Sequence, residues 1–275
     1  MNLRLKALFL SGALFALSAP MAVAQTTDGN GTTFVLPDFR PWWSPSSIGD
    51  IRFDTGRSND RLVDCDDWTS VGAVPTGMAV LSFTLSSPNF GAGDLRLRRQ
   101  SMPDGSIEMY QTVWAVDVDG VCSAVELDTP VAVIPPGSLQ SGRWLPLAKF
   151  ALYTIAEDGS PGDRVACQMK RWCCLGSSPT CATRSGCGQL PFRSDNLEAG
   201  SRDQYPFHWT DQFVPVEGLP TGDYWFEDEI NPGGIMFESD YTNNSMFLMI
   251  HIDQEARTVQ VVQEPDGSFA TCPAT

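Results

Sequence analysis

The sequence predicts an all-β protein, a β-sandwich with long disulfide-stapled loops, and three observations carry that reading. Short runs rich in β-branched and aromatic residues recur between Gly, Pro, Asn and Asp. Beyond the N-terminal leader, no window of twelve or more residues has the 3.6-residue periodicity of a helix. The 20 prolines work against long helices, because each removes a backbone donor and crowds the preceding turn.

The chain opens with Arg4 and Lys6, continues through the apolar run from Ala7 to Leu17, and reaches Ala22-Val23-Ala24 just before Gln25. This is the layout of a secretory signal peptide, 1–24, and Ser18 and Pro20 leave the apolar run short of the ~20 residues that span a bilayer. Residues 25–33 (QTTDGNGTT) are polar and turn-rich and read as a flexible lead-in. Residues 34–275 are the length of a single β domain. Within it, strands are expected at Met78–Leu85, Leu95–Arg99, Glu108–Val118, Val131–Ile134, Phe150–Ile155, Tyr224–Ile230, Ser245–Ile252 and Thr258–Gln263. Residues 167–204, Cys-rich and otherwise without pattern, read as a long stapled loop.

Removing the leader takes away two cations and no anions, so the balance moves from 18 Lys+Arg against 33 Asp+Glu to 16 against 33, or −17. Such a surface repels phosphate backbones and anionic lipid, which argues against nucleic acid and against membrane insertion of the cleaved form, and it suits basic polypeptides. All 8 cysteines, Cys65, Cys122, Cys167, Cys173, Cys174, Cys181, Cys187 and Cys272, follow the leader. An even number in an oxidising compartment suggests disulfides, with connectivity open. Zinc is the rival for the 167–187 cluster, against which the spacing lacks paired C-x-x-C knuckles. Only two histidines exist, His208 and His251, so a three-imidazole metal centre cannot be built within one chain.

From Gly200 to Ile252 the chain carries Asp203 and Tyr205, then Gln212-Phe213-Val214-Pro215-Val216, Pro220, Gly222 and Tyr224, Asn231-Pro232, and Glu238-Ser239-Asp240-Tyr241-Thr242-Asn243-Asn244. In order and spacing this resembles the C-terminal part of the lysyl oxidase domain. The opening Leu36-Pro37-Asp38-Phe39 and the stretch Asn89-Phe90-Gly91-Ala92-Gly93 are similar to earlier parts of that domain.

The resemblance implies a copper amine oxidase, with copper on a closely spaced histidine cluster and a lysine tyrosylquinone made from a lysine and a tyrosine. The strand that corresponds to the copper segment, Trp144 to Tyr153, has no histidine, so no copper ligand is identified. Arg164 falls where the quinone lysine is expected, and a guanidinium cannot replace the amine. Lys149 and Lys170 are near in sequence but off the motif as placed. Tyr205 matches the quinone-precursor tyrosine; its bland alternative is a packed tyrosine with a satisfied hydroxyl. His251, in an alternating strand, is expected to face solvent or a neighbouring strand.

The same resemblance implies a structural calcium held by Asp38, the Phe39 carbonyl, Glu238, Asp240, Asn243 and Asn244. Hard oxygen donors of this number and charge suit Ca²⁺, and the alternative is a solvated Asp/Asn turn. Three functions follow as expectations. The first is an exported, calcium-stabilised, non-catalytic binding or structural module facing basic or amine-bearing polypeptides. The second is a copper-dependent protein-lysine or amine oxidase with atypical ligands. The third is an envelope or adhesin sandwich that shares only the fold.

Overall fold

The structure is a computed structural model and describes residues 25–29, 31–43, 48–66, 70–134, 145–172, 178–179, 187 and 196–264. The leader, Trp144, Cys173, Cys174, Cys181 and Cys272 lie outside the described residues. Those residues form mainly antiparallel strands, with a short 3-10 turn at Pro232–Gly234 and helical residues at 48–49, in keeping with the all-β reading.

Two sheets dominate. One runs in the order Pro161–Trp172, Leu145–Ile155, Gly222–Ile230, Ser245–Asp253, Thr258–Gln263. The other has Ile107–Val116 at its centre, paired with Leu95–Ser101, Thr33–Val35, Cys122–Glu126 and Ala132–Ile134. Their apolar faces meet in one core: Leu95, Leu97 and Met109 from the second sheet pack in the same cluster as Phe150, Leu152, Phe226, Leu248 and Ile250 from the first. That shared interior is the sandwich arrangement, with side chains alternating between core and outside along each strand. At its centre Phe83 meets Phe150 edge-on at 4.5 Å and Phe226 at 4.9 Å, and Trp43 abuts Phe226 at 5.6 Å. The Trp43 indole donates to Asp228 Oδ2 at 3.0 Å inside this aromatic box.

Three expectations need correction. Residues 25–33 are not a loose lead-in: Gln25–Thr27 pairs with Thr33–Val35, which in turn pairs with Ile107–Val116. Asp28 Oδ1 accepts the Thr32 amide at 2.9 Å and Gly31 takes a positive φ of 81°, so the polar residues make a hairpin turn. The 167–204 segment is not one long loop either. Its first residues complete the twelve-residue strand Pro161–Trp172, and Ser178–Pro179, Asn196–Leu197 and Ser201–Tyr205 add short strands. Its polar composition concealed the strand, because the 161–172 strand sits at a sheet edge where polar side chains reach solvent. Last, Met78–Leu85 divides into Ala79–Ser82 and Leu85–Pro88, which enter different small sheets.

Among the described residues, two disulfides join distant parts. Cys65 bonds Cys167 and Cys122 bonds Cys187, which removes two of the cluster's cysteines from any zinc site.

Candidate functional site

The five oxygen-bearing side chains singled out in the sequence come together from two distant segments. The 36–40 segment is pressed against the 89–94 loop. Asn89 Oδ1 accepts the amides of Asp38 (3.0 Å) and Gly91 (3.1 Å), the Phe90 amide donates to the Asp38 carbonyl (2.7 Å), and the Gly93 amide donates to the Leu36 carbonyl (3.0 Å). A Cβ at Gly91 would stand 2.4 Å from the Asp38 nitrogen, and one at Gly93 2.1 Å from the Val35 carbonyl oxygen. The Asn-x-Gly-x-Gly pattern is therefore a backbone-contact requirement that fixes Asp38.

The second segment is the turn region between strands Gly222–Ile230 and Ser245–Asp253. Asn231, at φ 52°, braces it by accepting the Met236 amide (2.8 Å) and donating to Glu238 Oε1 (2.5 Å). Glu238 Oε1 also accepts from Asn244 Nδ2 (2.7 Å), and Oε2 accepts the Phe39 amide (2.9 Å) across 199 residues of sequence. Asn243 Nδ2 bridges Asp38 Oδ1 (2.9 Å) and Asp240 Oδ2 (3.1 Å), while Arg40 donates to Asp38 Oδ2 at 2.6 Å. Burial pushes the Glu238 carboxyl up to about 7, opposed by its hydrogen bonds from Asn244, Phe39 and Asn231 and assisted by the nearby Asp38 charge. The Oδ1 atoms of Asn243 and Asn244 are buried without a hydrogen-bond partner. Among the described residues no group of three or more His, Cys, Asp or Glu side chains is placed to hold a metal by itself; here Asn243 joins Asp38 to Asp240, and Asn244 bonds Glu238.

The second region centres on Tyr205, buried at the end of Ser201–Tyr205. The ammonium of Lys170 lies 4.6 Å from the centroid of its ring, and that nitrogen donates to the Thr210 carbonyl at 2.7 Å. Trp209 closes the other side, edge-on to Tyr205 at 5.7 Å and about half exposed. Arg164 does not reach this place: it is exposed and forms an ion pair with Asp66 at 2.7 Å. The lysine beside the precursor-like tyrosine is thus Lys170, six positions further along the edge strand than the residue assigned from the motif. The overlooked signal was Trp172-Cys173, an aromatic-Cys pair two residues after Lys170.

Neither histidine joins this pair. His251 accepts or donates at 2.6 Å to Asp223 on the neighbouring strand, as its alternation suggested, and His208 is exposed with its ring against Phe207. On the strand that corresponds to the copper segment, Phe150 fills the core, Lys149 pairs with Glu227 (3.2 Å) and Glu229, and the Tyr153 hydroxyl donates to Glu227 Oε2 (2.7 Å). Burial and that acceptor push the Tyr153 phenol well up. These residues do not fit a copper ion bound through imidazoles.

Taken together, the chain is a disulfide-linked all-β sandwich with one oxygen-donor clasp and one buried lysine–tyrosine pair. The family model described as Lysyl oxidase matches residues 142–262, and this part of the chain belongs to the lysyl oxidase family. The matched residues include Lys170, Tyr205 and the 238–244 turn, whereas Asp38 and the 89–94 loop precede them. No curated protein matches the chain.

Proposed function

We propose that this protein is an exported member of the lysyl oxidase family that acts as a calcium-stabilised binding or structural module, without copper–quinone amine oxidation. The observation that carries the reading is the clasp. Three carboxylates and two asparagines from distant segments converge, yet the buried Oδ1 atoms of both asparagines have no partner. Buried acceptors left unpaired cost about 1–3 kcal/mol each, so the donor set is better satisfied around a cation than by itself. Asp38, Glu238, Asp240, Asn243 and Asn244, with the Phe39 carbonyl, would hold Ca²⁺. The ion would add positive charge beyond that of Arg40, which pairs with Asp38 alone, and the clasp would tie the 36–40 segment to the 238–244 turn.

On the oxidase side, a chain with two histidines, one paired with Asp223 and one exposed, does not offer a three-imidazole copper site. Export is supported by the leader pattern and fits the two disulfides; no described helix is long and apolar enough to cross a membrane. The net charge of −17 after leader removal, two fewer cations than the full chain's −15, favours basic or amine-bearing polypeptides as partners.

The amine oxidase reading keeps one specific support, the contact between Lys170 and Tyr205. The two are separated by experiment. Purified protein loaded with Cu²⁺ is expected to show no quinone absorption and no amine-dependent hydrogen peroxide. Peroxide that disappears in Tyr205→Phe and in Lys170→Met would establish the oxidase instead. For calcium, thermal melts with excess Ca²⁺ and with chelator are expected to differ by about 2.7 kcal/mol of stability at a hundredfold excess over Kd, and Asp240→Ala should abolish the difference. Superimposable wild-type melts would count against the clasp as a calcium site.

A further inference from the structure

The segment 57–65 is a strap running from the turn over Lys170 to the edge strand that carries Lys170. At the turn end, Arg57 donates to the carbonyls of Phe207 (3.0 Å) and Trp209 (3.3 Å), and its backbone amide donates to Asp60 Oδ2 (2.9 Å). Asp60 Oδ1 accepts the Asp211 amide (2.9 Å), and Asp211 Oδ1 accepts the Arg61 amide (3.0 Å). Asp211 is held at φ 61°, a left-handed conformation that a non-glycine residue keeps only when its surroundings impose it. That turn supplies the Thr210 carbonyl to Lys170.

At the edge-strand end, Gln168 grips the strap from one side, donating to the Arg61 carbonyl (2.7 Å) and accepting the Val63 amide (3.2 Å). The Cys65–Cys167 bond fixes it covalently, three residues before Lys170. This bond lines a cavity of about 200 Å³, walled by Leu62, Val63 and Gln168 and rimmed by Asp64, Asp66 and Arg164. Both cysteines are only half buried. A small thiol has a route to the sulfurs past this rim.

We propose that Cys65–Cys167 is a thiol-reducible latch that controls access to the Lys170–Tyr205 pair. An external dithiol attacks one sulfur through its thiolate to give a mixed disulfide. Its second thiol then closes on the first, leaving the dithiol oxidised to its own disulfide and Cys65 and Cys167 as two thiols, a two-electron, two-proton exchange. With the covalent end of the strap free, the strap leaves the edge strand, the 207–211 turn loses its braces, and the Lys170 amine becomes accessible. The latch acts on this pair whether or not the pair is catalytic.

The test uses the full secreted chain titrated with limiting dithiothreitol. After free thiols are blocked, lysines are labelled with a small succinimidyl ester and mapped by mass spectrometry, with Lys149 as internal control. Cys65–Cys167 is expected to open before Cys122–Cys187, and its opening to raise Lys170 labelling by at least about tenfold while Lys149 changes less than about twofold, as for local rather than global opening. The latch is overturned if Cys122–Cys187 opens first, if Lys170 labelling stays level in protein reduced at Cys65–Cys167, or if Lys149 rises in parallel. Cys65→Ser/Cys167→Ser should label at Lys170 like the reduced wild type. Labelling like the oxidised form in a folded variant also overturns it, and if this variant does not fold, the titration still decides.

Discussion

The oxygen-donor clasp and the Lys170–Tyr205 pair lie in one sandwich, yet they differ in how their side chains are held. In the clasp, every side chain implied by the resemblance is present and hydrogen-bonded, and a single substitution at Gly91 or Gly93 would disturb the backbone contacts that fix Asp38. In the other region the Lys170 ammonium lies over the buried Tyr205 ring, and the strand Leu145–Ile155 carries no histidine. A scaffold site is held in place by folding itself, because losing a donor there costs stability. The strand Leu145–Ile155 instead engages its side chains in pairs of their own, as Lys149 does with Glu227 and Glu229.

If this contrast is right, the clasp should be the more sensitive of the two. Glu238→Ala strips three donors, the Phe39 amide, Asn231 Nδ2 and Asn244 Nδ2, of their acceptor, and is expected to lower stability by about 3 kcal/mol, or roughly 6–12 °C in a melting curve. A loss below about 1 kcal/mol would break the comparison.

The core shared by both regions provides a pH test. Burial holds the Asp228 carboxyl well above its ordinary value, against the pull of the Trp43 indole and with support from Glu227 and Glu229. With the folded pKa raised, the folded protein retains a proton that the unfolded chain releases. Its stabilisation is full below the unfolded pKa of about 4 and is lost as pH rises through the folded value. Asp228→Asn, which keeps a carbonyl for Trp43, should flatten the fall in stability from pH 4 towards neutrality as read by urea midpoints. An unchanged slope would assign the decline to other groups.

Lys170→Met removes the hydrogen bond to the Thr210 carbonyl and the cation–π contact with Tyr205 and should cost about 1–2 kcal/mol in urea unfolding, less than the clasp variant. Equal losses would mean that the pair is as structural as the clasp. His251→Ala deletes a half-exposed pair with Asp223 and should change stability by no more than about 0.5 kcal/mol.

The strands with apolar alternation were legible. Thr258–Gln263 has the bounds that the sequence suggests, and Leu95–Ser101, Ser245–Asp253 and Gly222–Ile230 extend the expected runs by one to two residues at an end. The clasp was legible because its side chains stand in a contiguous seven-residue run and a short opening motif. Lys170 was not, because its meaning lies in a contact with Tyr205 across 35 positions, and Arg164 offered a more obvious sequence counterpart. The Pro161–Trp172 strand escaped notice for a related reason: an edge strand mixes charged residues such as Asp163 and Arg164 with buried ones such as Met169, which blurs the two-residue period. Disulfide pairing is a property of three-dimensional proximity, and spacing alone could not supply it.

The bond from the Phe39 amide to Glu238 spans 199 residues and closes a loop that contains most of the sandwich. A contact so distant in sequence is expected to form after the intervening strands have paired and brought its two ends together. A chain emerging from its N-terminus would carry Asp38 long before its partners exist. Completion of the clasp would then mark the moment at which the chain has been made as far as the 238–244 turn, and a protein cut short before Glu238 could not imitate the finished one.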